Sequence, residues 1–231
     1  MVTIKPLFSM YIRLVIFVFV TFMLFPSRSL AQEENPPEMR QYLFPAFTLG
    51  TVKMKVGKPK NLLLNYNTVT EKMVFEQKGQ FYDLIGQESV DTIYFQKKKF
   101  IPYENFFLEI AFEDKIALGI QHRSNLQAPG KPVGYGGTSE LASANYMTGI
   151  ELSTGYFNLK IPEGYEVRYS PFYWVKRDDI WQKFISAKQF VKIFSEYSNE
   201  LNQFIKKNRI KFDRSDDVAK LVGFCNTLVK K

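Results

Sequence analysis

Thr51-Val52-Lys53-Met54-Lys55-Val56 alternates polar and apolar side chains, and Gly57-Lys58-Pro59 follows it directly. Successive side chains of a β-strand point to opposite faces, so a period of two marks a strand with one buried and one wetted side. Glycine and proline then supply the backbone angles of a turn. Working outward, short β-branched and aromatic runs recur at residues 61–66, 73–75, 81–85, 90–95, 106–112 and 116–121. Asn67-Thr68-Val69-Thr70, Gln77-Lys78-Gly79-Gln80 and Glu113-Asp114-Lys115 punctuate them as turns. The pattern resumes at 155–161, 166–169, 172–176 and, after Arg177-Asp178-Asp179, at 180–184. Short strands at this spacing predict an antiparallel meander closing into a barrel or a sandwich.

From Ser186 the period changes to 3.6. Phe190, Ile193, Phe194, Tyr197, Leu201, Phe204 and Ile205 share one stripe behind Ser186 as N-cap. A second helix is expected after Asp213-Arg214-Ser215, with Val218, Leu221, Val222, Cys225, Leu228 and Val229 on its apolar face. The fold class is therefore α+β, mainly β, with a C-terminal helical hairpin over 186–231.

The N-terminal end carries an address. Lys5 and Arg13 precede an uncharged, almost wholly apolar run over 14–25; Pro26 ends it, and Ser29-Leu30-Ala31 offers the small residues a signal peptidase accepts. A spanning helix needs about 20 apolar residues, and extending this run backwards would bury Arg13. A cleaved signal over 1–31 is expected, then a flexible leader over 32–44, the β domain over 45–185 with a long loop at 124–148, and the hairpin. This order implies export to the periplasm, the cell surface or the medium, with no transmembrane segment after cleavage.

Composition narrows the function classes. The chain holds 31 Lys+Arg and 23 Asp+Glu, net +8, and losing Lys5, Arg13 and Arg28 with the signal leaves +5. Only Lys97-Lys98-Lys99 forms a basic run, which reads as a solvated turn or guarded strand edge, so no nucleic-acid partner is expected. Cys225 is the single cysteine, so no internal disulfide forms. Its place on the helical stripe marks a buried thiol. One His and one Cys about a hundred residues apart make no zinc spacing, and no calcium-loop motif is present. Neither a cofactor nor a metal is expected.

Catalysis has few footholds. His122 is the only histidine, and Ser139 or Ser143 could complete a triad only without a G-x-S-x-G elbow. Glu104, Glu109, Glu113 and Asp114 offer carboxylates, but proximity in sequence alone does not pair them for glycoside hydrolysis. Glu71, Glu76 and Asp83 flank turns and read as solvated. No catalytic residue is assigned. The long loop, with Gly134-Tyr135-Gly136-Gly137-Thr138, lacks the Gly-Lys-Ser/Thr ending of a phosphate-binding loop and reads as a lid or contact segment. The candidate binding residues are His122, Arg123, Tyr135, Gly136, Gly137 and Thr138, facing an envelope protein or a glycan.

The stretch GTVKMKVGKPKNLLLNYNTVTEKMVF, then VDTIYF, then QHRSNLQAPGKPVGYGGTSE, resembles a group of secreted β-rich proteins of Bacteroidota that has no established activity. The tail FVKIFSEYSNELNQFIKKNRIKFDRSDDVAKLVGFCN is similar to a helical ending in the same group. Together the segments span residues 47–226, and the resemblance implies an exported envelope protein with a β-rich body and C-terminal helices. The expected role is a non-catalytic binding or scaffolding module. The alternatives are a hydrolase of an envelope or extracellular polymer built on His122, and a small-ligand or lipid carrier if the sheet closes into a hollow barrel.

Overall fold

The computed structural model describes residues 39–127, 129, 131–133, 137–139, 161 and 164–229. Ten strands form one antiparallel sheet in the order β14-β13-β8-β7-β6-β5-β1-β2-β3-β4. These are β1 (Thr48–Met54), β2 (Lys60–Asn67), β3 (Lys72–Gln77), β4 (Gln80–Asp83), β5 (Val90–Phe95), β6 (Lys98–Tyr103), β7 (Phe106–Glu113), β8 (Ala117–Gln121), β13 (Phe172–Arg177) and β14 (Ile180–Phe184). Two small antiparallel pairs form separate two-stranded sheets: β9 (Ser124–Gln127) with β12 (Glu166–Tyr169), and β10 (Lys131–Val133) with β11 (Gly137–Ser139). Three helices follow, α1 (Ala187–Ile193), α2 (Ser198–Asn208) and α3 (Ser215–Leu228).

The antiparallel meander expected from the alternation is what forms, but it does not close. β4 and β14 are both edges, so the barrel is replaced by an open sheet. The sheet still curls. The β2–β3 turn reaches the far end of β8, where Ser124 N donates to Thr68 O at 2.7 Å and the two hydroxyls of Thr68 and Ser124 lie 2.8 Å apart. Four strands separate β2 from β8 in the sheet order, so this contact folds one face inward.

That inner face is organised by one cross-strand row. Val52, Ile93, Phe100, Glu109, Ile120, Tyr173 and Phe184 are successive partners across seven strands, and all are buried. Two cores form along it. The first gathers Val52, Leu64, Tyr66, Met73, Ile93, Phe95, Phe100 and Phe107 inside the curl. The second packs Leu118, Ile120, Tyr173, Val175 and Phe184 against Phe190, Phe194, Leu201, Leu221, Val222 and Cys225 of the helical tail. A register shift between Ile110 and Phe112 sets Phe112, rather than Ala111, opposite Leu118. The bulge thus adds a ring to the second core.

Several expectations are corrected. The single helix read from Phe190 to Ile205 is two, because the chain leaves helical angles at Phe194 (φ −118°, ψ 50°) and makes a 3-10 turn over Ser195–Tyr197. Both Phe190 and Phe194 remain fully buried across that break. Ser186 is the N-cap of α1, as read. Lys98 and Lys99 lie in a central strand rather than at a turn or an edge; the turn is Gln96-Lys97, both at positive φ (51° and 59°), the geometry of a two-residue hairpin. Residues 124–127, expected in a loop, are strand β9. The rear of the leader is tied down, since Leu43 N donates to Tyr66 O at 2.8 Å and Asn65 Nδ2 donates to Phe44 O at 2.8 Å. The strand expected at 155–161 lies outside the described residues apart from Ile161.

Gly50 is packed against immovable atoms. A Cβ there would meet Phe95 Cβ at 2.5 Å and the carbonyl of Tyr94 at 2.9 Å, neither of which a rotamer change can move. Gly50→Ala should lower the unfolding free energy by about 1–3 kcal/mol in urea melts. Gly223 has open space in α3, so Gly223→Ala should raise it by about 0.5–1 kcal/mol in the same assay.

Candidate functional site

Glu109 is the one charge in the buried row, and it sits at the seam between the two cores. Its neighbours Phe100 and Ile120 belong to different clusters. A carboxylate leaving water needs hydrogen bonds and countercharge. It finds both. Lys98 Nζ, on β6, lies 2.6 Å from Glu109 Oε1, and His122 Nε2, just past β8, lies 2.6 Å from Glu109 Oε2. The other ring nitrogen, His122 Nδ1, lies 2.5 Å from the hydroxyl of Tyr169 on β12.

The protonation states follow from this geometry. Burial pushes the His122 pKa below its usual 6.5, against the opposing pull of the Glu109 hydrogen bond and charge. Burial alone would raise the Glu109 pKa, but the hydrogen bonds and charges of His122 and Lys98 outweigh it and hold the carboxyl below 4.5. Near neutral pH the carboxylate is ionised and accepts only, so the neutral imidazole carries its proton on Nε2 and donates to Glu109. Nδ1 then accepts from the Tyr169 O–H. Burial raises the Tyr169 phenol pKa, which keeps that proton on the oxygen.

The order Glu–His–Tyr repeats the logic of a carboxylate, an imidazole and a hydroxyl in line. What differs is access. His122 is 4% exposed, its ring is flanked by Tyr66 and Phe100 at centroid distances of 5.9 and 6.2 Å, and both nitrogens are engaged. The Tyr66 hydroxyl beside them is buried without a hydrogen-bond partner. The arrangement joins β6, β7, β8 and β12 through one polar chain inside an aromatic setting.

Arg123 points elsewhere. Its guanidinium lies 4.4 Å from the centre of the Phe172 ring, 3.6 Å from Glu71 Oε1 and 3.0 Å from Asn125 Oδ1. Glu71 also accepts from Gln121 Nε2 at 2.5 Å, and Gln121 Oε1 accepts from Trp174 Nε1 at 3.0 Å. The acids expected to be solvated are therefore partly engaged: Glu71 in this network, and buried Asp83 in an ion pair with Lys72 at 3.3 Å. Gly137 and Thr138 belong to β11, where they pair with Val133 and Pro132, while Tyr135, Gly136 and Ser143 lie outside the described residues. Cys225 is buried, and burial pushes its thiol up to about 12. Among the described residues no group of three His, Cys, Asp or Glu side chains could hold a metal.

The partners of His122 went unread in the sequence. Glu109 interrupts the apolar run Phe106-Phe107-Leu108-Glu109-Ile110-Ala111-Phe112. A charge in such a strand needs a buried partner, and the sole histidine was the natural candidate. Tyr169 carried no comparable signal. No protein family, curated protein or solved structure matches the chain.

Glu109→Leu leaves the His122 N–H without an acceptor and should cost about 1–3 kcal/mol of stability, measured by urea unfolding. The depressed His122 pKa also fixes a pH dependence. Above 6.5 the ring is neutral whether folded or unfolded; below it the unfolded chain takes the proton first. Stability should therefore fall as pH drops from about 6.5 towards the folded-state value, by up to about 1.4 kcal/mol per pH unit. Glu109 extends the loss below 4.5, while Asp83, raised by burial, acts in the opposite sense. His122→Gln should flatten the first part of the profile and also weaken the second, since His122 helps hold the Glu109 carboxyl down.

Proposed function

We propose that this is an exported, non-catalytic binding or scaffolding protein of the cell envelope. The observation that carries the reading is that the sole histidine has both ring nitrogens engaged by Glu109 and Tyr169 while being 4% exposed. A general base needs a lone pair within reach of substrate, and here it is directed at a tyrosine whose proton is held tightly. The N-terminal pattern of Lys5, Arg13, the apolar run and Ser29-Leu30-Ala31 supports export. Among the described residues no helix is long and apolar enough to cross a membrane. The carrier alternative depended on a closed, hollow barrel, and the open sheet gives it no support.

The hydrolase alternative keeps one specific feature, the Glu109–His122–Tyr169 alignment, and so can be separated by experiment. The protein purified from its native cell is expected in the envelope or medium fraction, beginning at Gln32. Incubated with isolated peptidoglycan and extracellular polysaccharide, it should release no soluble fragments. Fragment release that disappears in Tyr169→Phe would overturn the non-catalytic reading, and an intact Met1 in the cytosolic fraction would overturn export.

A further inference from the structure

Both tryptophans of the chain lie outside the two cores. Trp174 alternates with core-facing Tyr173 and Val175 on β13, and Trp181 stands on edge strand β14, so both belong to the sheet face turned away from the helices. Neither is fully buried. Tyr103 of β6 brings its ring within 5.0 Å of Trp174 and 6.1 Å of Trp181, and Phe106 of β7 comes within 6.1 Å of Trp174. β8 runs between β7 and β13, so rings from either side must meet over it. The residue of β8 opposite Trp174 is Gly119, over which Leu108 packs so closely that a Cβ would come within 2.4 Å of Leu108 Cδ2.

The rim of this aromatic patch is polar, and two of its charged side chains stand without an ion-pair partner among the described residues: Lys183, and Glu104 next to Tyr103. Glu71 is paired with Arg123, Glu113 with Lys99 at 2.7 Å and Asp179 with Lys176 at 2.8 Å. Lys183, opposite Trp174, rests 3.9 Å from the Phe172 ring centre and has no carboxylate partner among the described residues. The hydrogen bond from Trp174 to Gln121, itself bonded to Glu71, fixes that indole before any ligand arrives.

We infer that this face binds an acidic polysaccharide. The C–H faces of pyranose rings lie on Trp181 and Tyr103, and a sugar carboxylate meets the Lys183 ammonium. Rigid rings on strands lose little conformational freedom on binding, and a cation already stacked on an aromatic needs little reorganisation. The inference rests on the reading of the protein as a non-catalytic binding module and gives that module its ligand class.

Because both tryptophans stand in the patch, intrinsic fluorescence reports on it directly. Titrating the mature protein with oligogalacturonate should give a saturable change that weakens as salt is added. Trp181→Ala should weaken binding about tenfold, and Lys183→Gln should weaken it less and remove most of the salt dependence, with thermal midpoints unchanged in both. The inference fails if oligogalacturonate leaves the fluorescence unmoved, if both variants bind like the wild type, or if a neutral cello-oligosaccharide binds equally well and independently of salt. It fails equally if sedimentation shows self-association that Trp181→Ala abolishes, since the patch is then an interface between copies. Chain cleavage of the oligosaccharide would count against the non-catalytic reading while leaving the binding patch in place.

Discussion

Glu109 has to be charged and dry at once, and the middle of the sheet is built around meeting that demand. An isolated carboxylate in an apolar interior would either take a proton or force the strands apart. Lys98 supplies countercharge from the half-exposed side of the seam, and His122 supplies a neutral donor from the fully buried side. The two roles are not interchangeable. A second full charge at His122 would have to be desolvated against Tyr66 and Phe100, which is why burial keeps the imidazole neutral. The ion pair with Lys98 and the hydrogen bond with His122 therefore fix where β6, β7 and β8 sit relative to one another. Through Tyr169 they also tether the β9–β12 pair to the main sheet.

The same seam explains why a sheet this wide keeps two cores instead of one. Inside the curl, apolar side chains of β1–β3 close over β5–β7; beyond it, the helical tail covers β8, β13 and β14. Phe100 and Ile120 flank Glu109 and belong to opposite sides. A polar boundary of this kind lets each half pack to its own shape, with the Phe112 bulge filling the space under the helices.

What could be read from the residues was what repeats. Alternation from Thr51 onward announced the strands, and the stripe over Phe190 to Ile205 announced helix, because burial on one face imposes a period that composition cannot hide. What could not be read was set by single positions. Gln96-Lys97 takes two left-handed residues without the Asn or Gly that usually signals them, so β6 was hidden inside a lysine run. The break at Phe194 leaves no mark in a periodic pattern, since both segments bury the same kind of residue. Openness of the sheet is decided by whether the first and last strands meet, a long-range fact that no local run encodes. The site shows the same division: His122 stood out by being unique, whereas Glu109 and Tyr169, 13 and 47 residues away, join it only through strand register.

The distribution of aromatic side chains carries the argument from fold to function. A domain without a disulfide has to hold itself together by burying large apolar surface, and phenylalanine does this here: Phe95, Phe100 and Phe107 in one core, Phe184, Phe190 and Phe194 in the other. Tryptophan, which buries more area per residue than any other type, would serve the same purpose better if stability were all that mattered. Both copies instead stand on the outer face, one held by a hydrogen bond to Gln121 and both gathered by Tyr103. Placing the largest rings where they are only partly covered gives up burial that the cores could have used. The acidic glycan proposed above to bind this face is what would offset that loss.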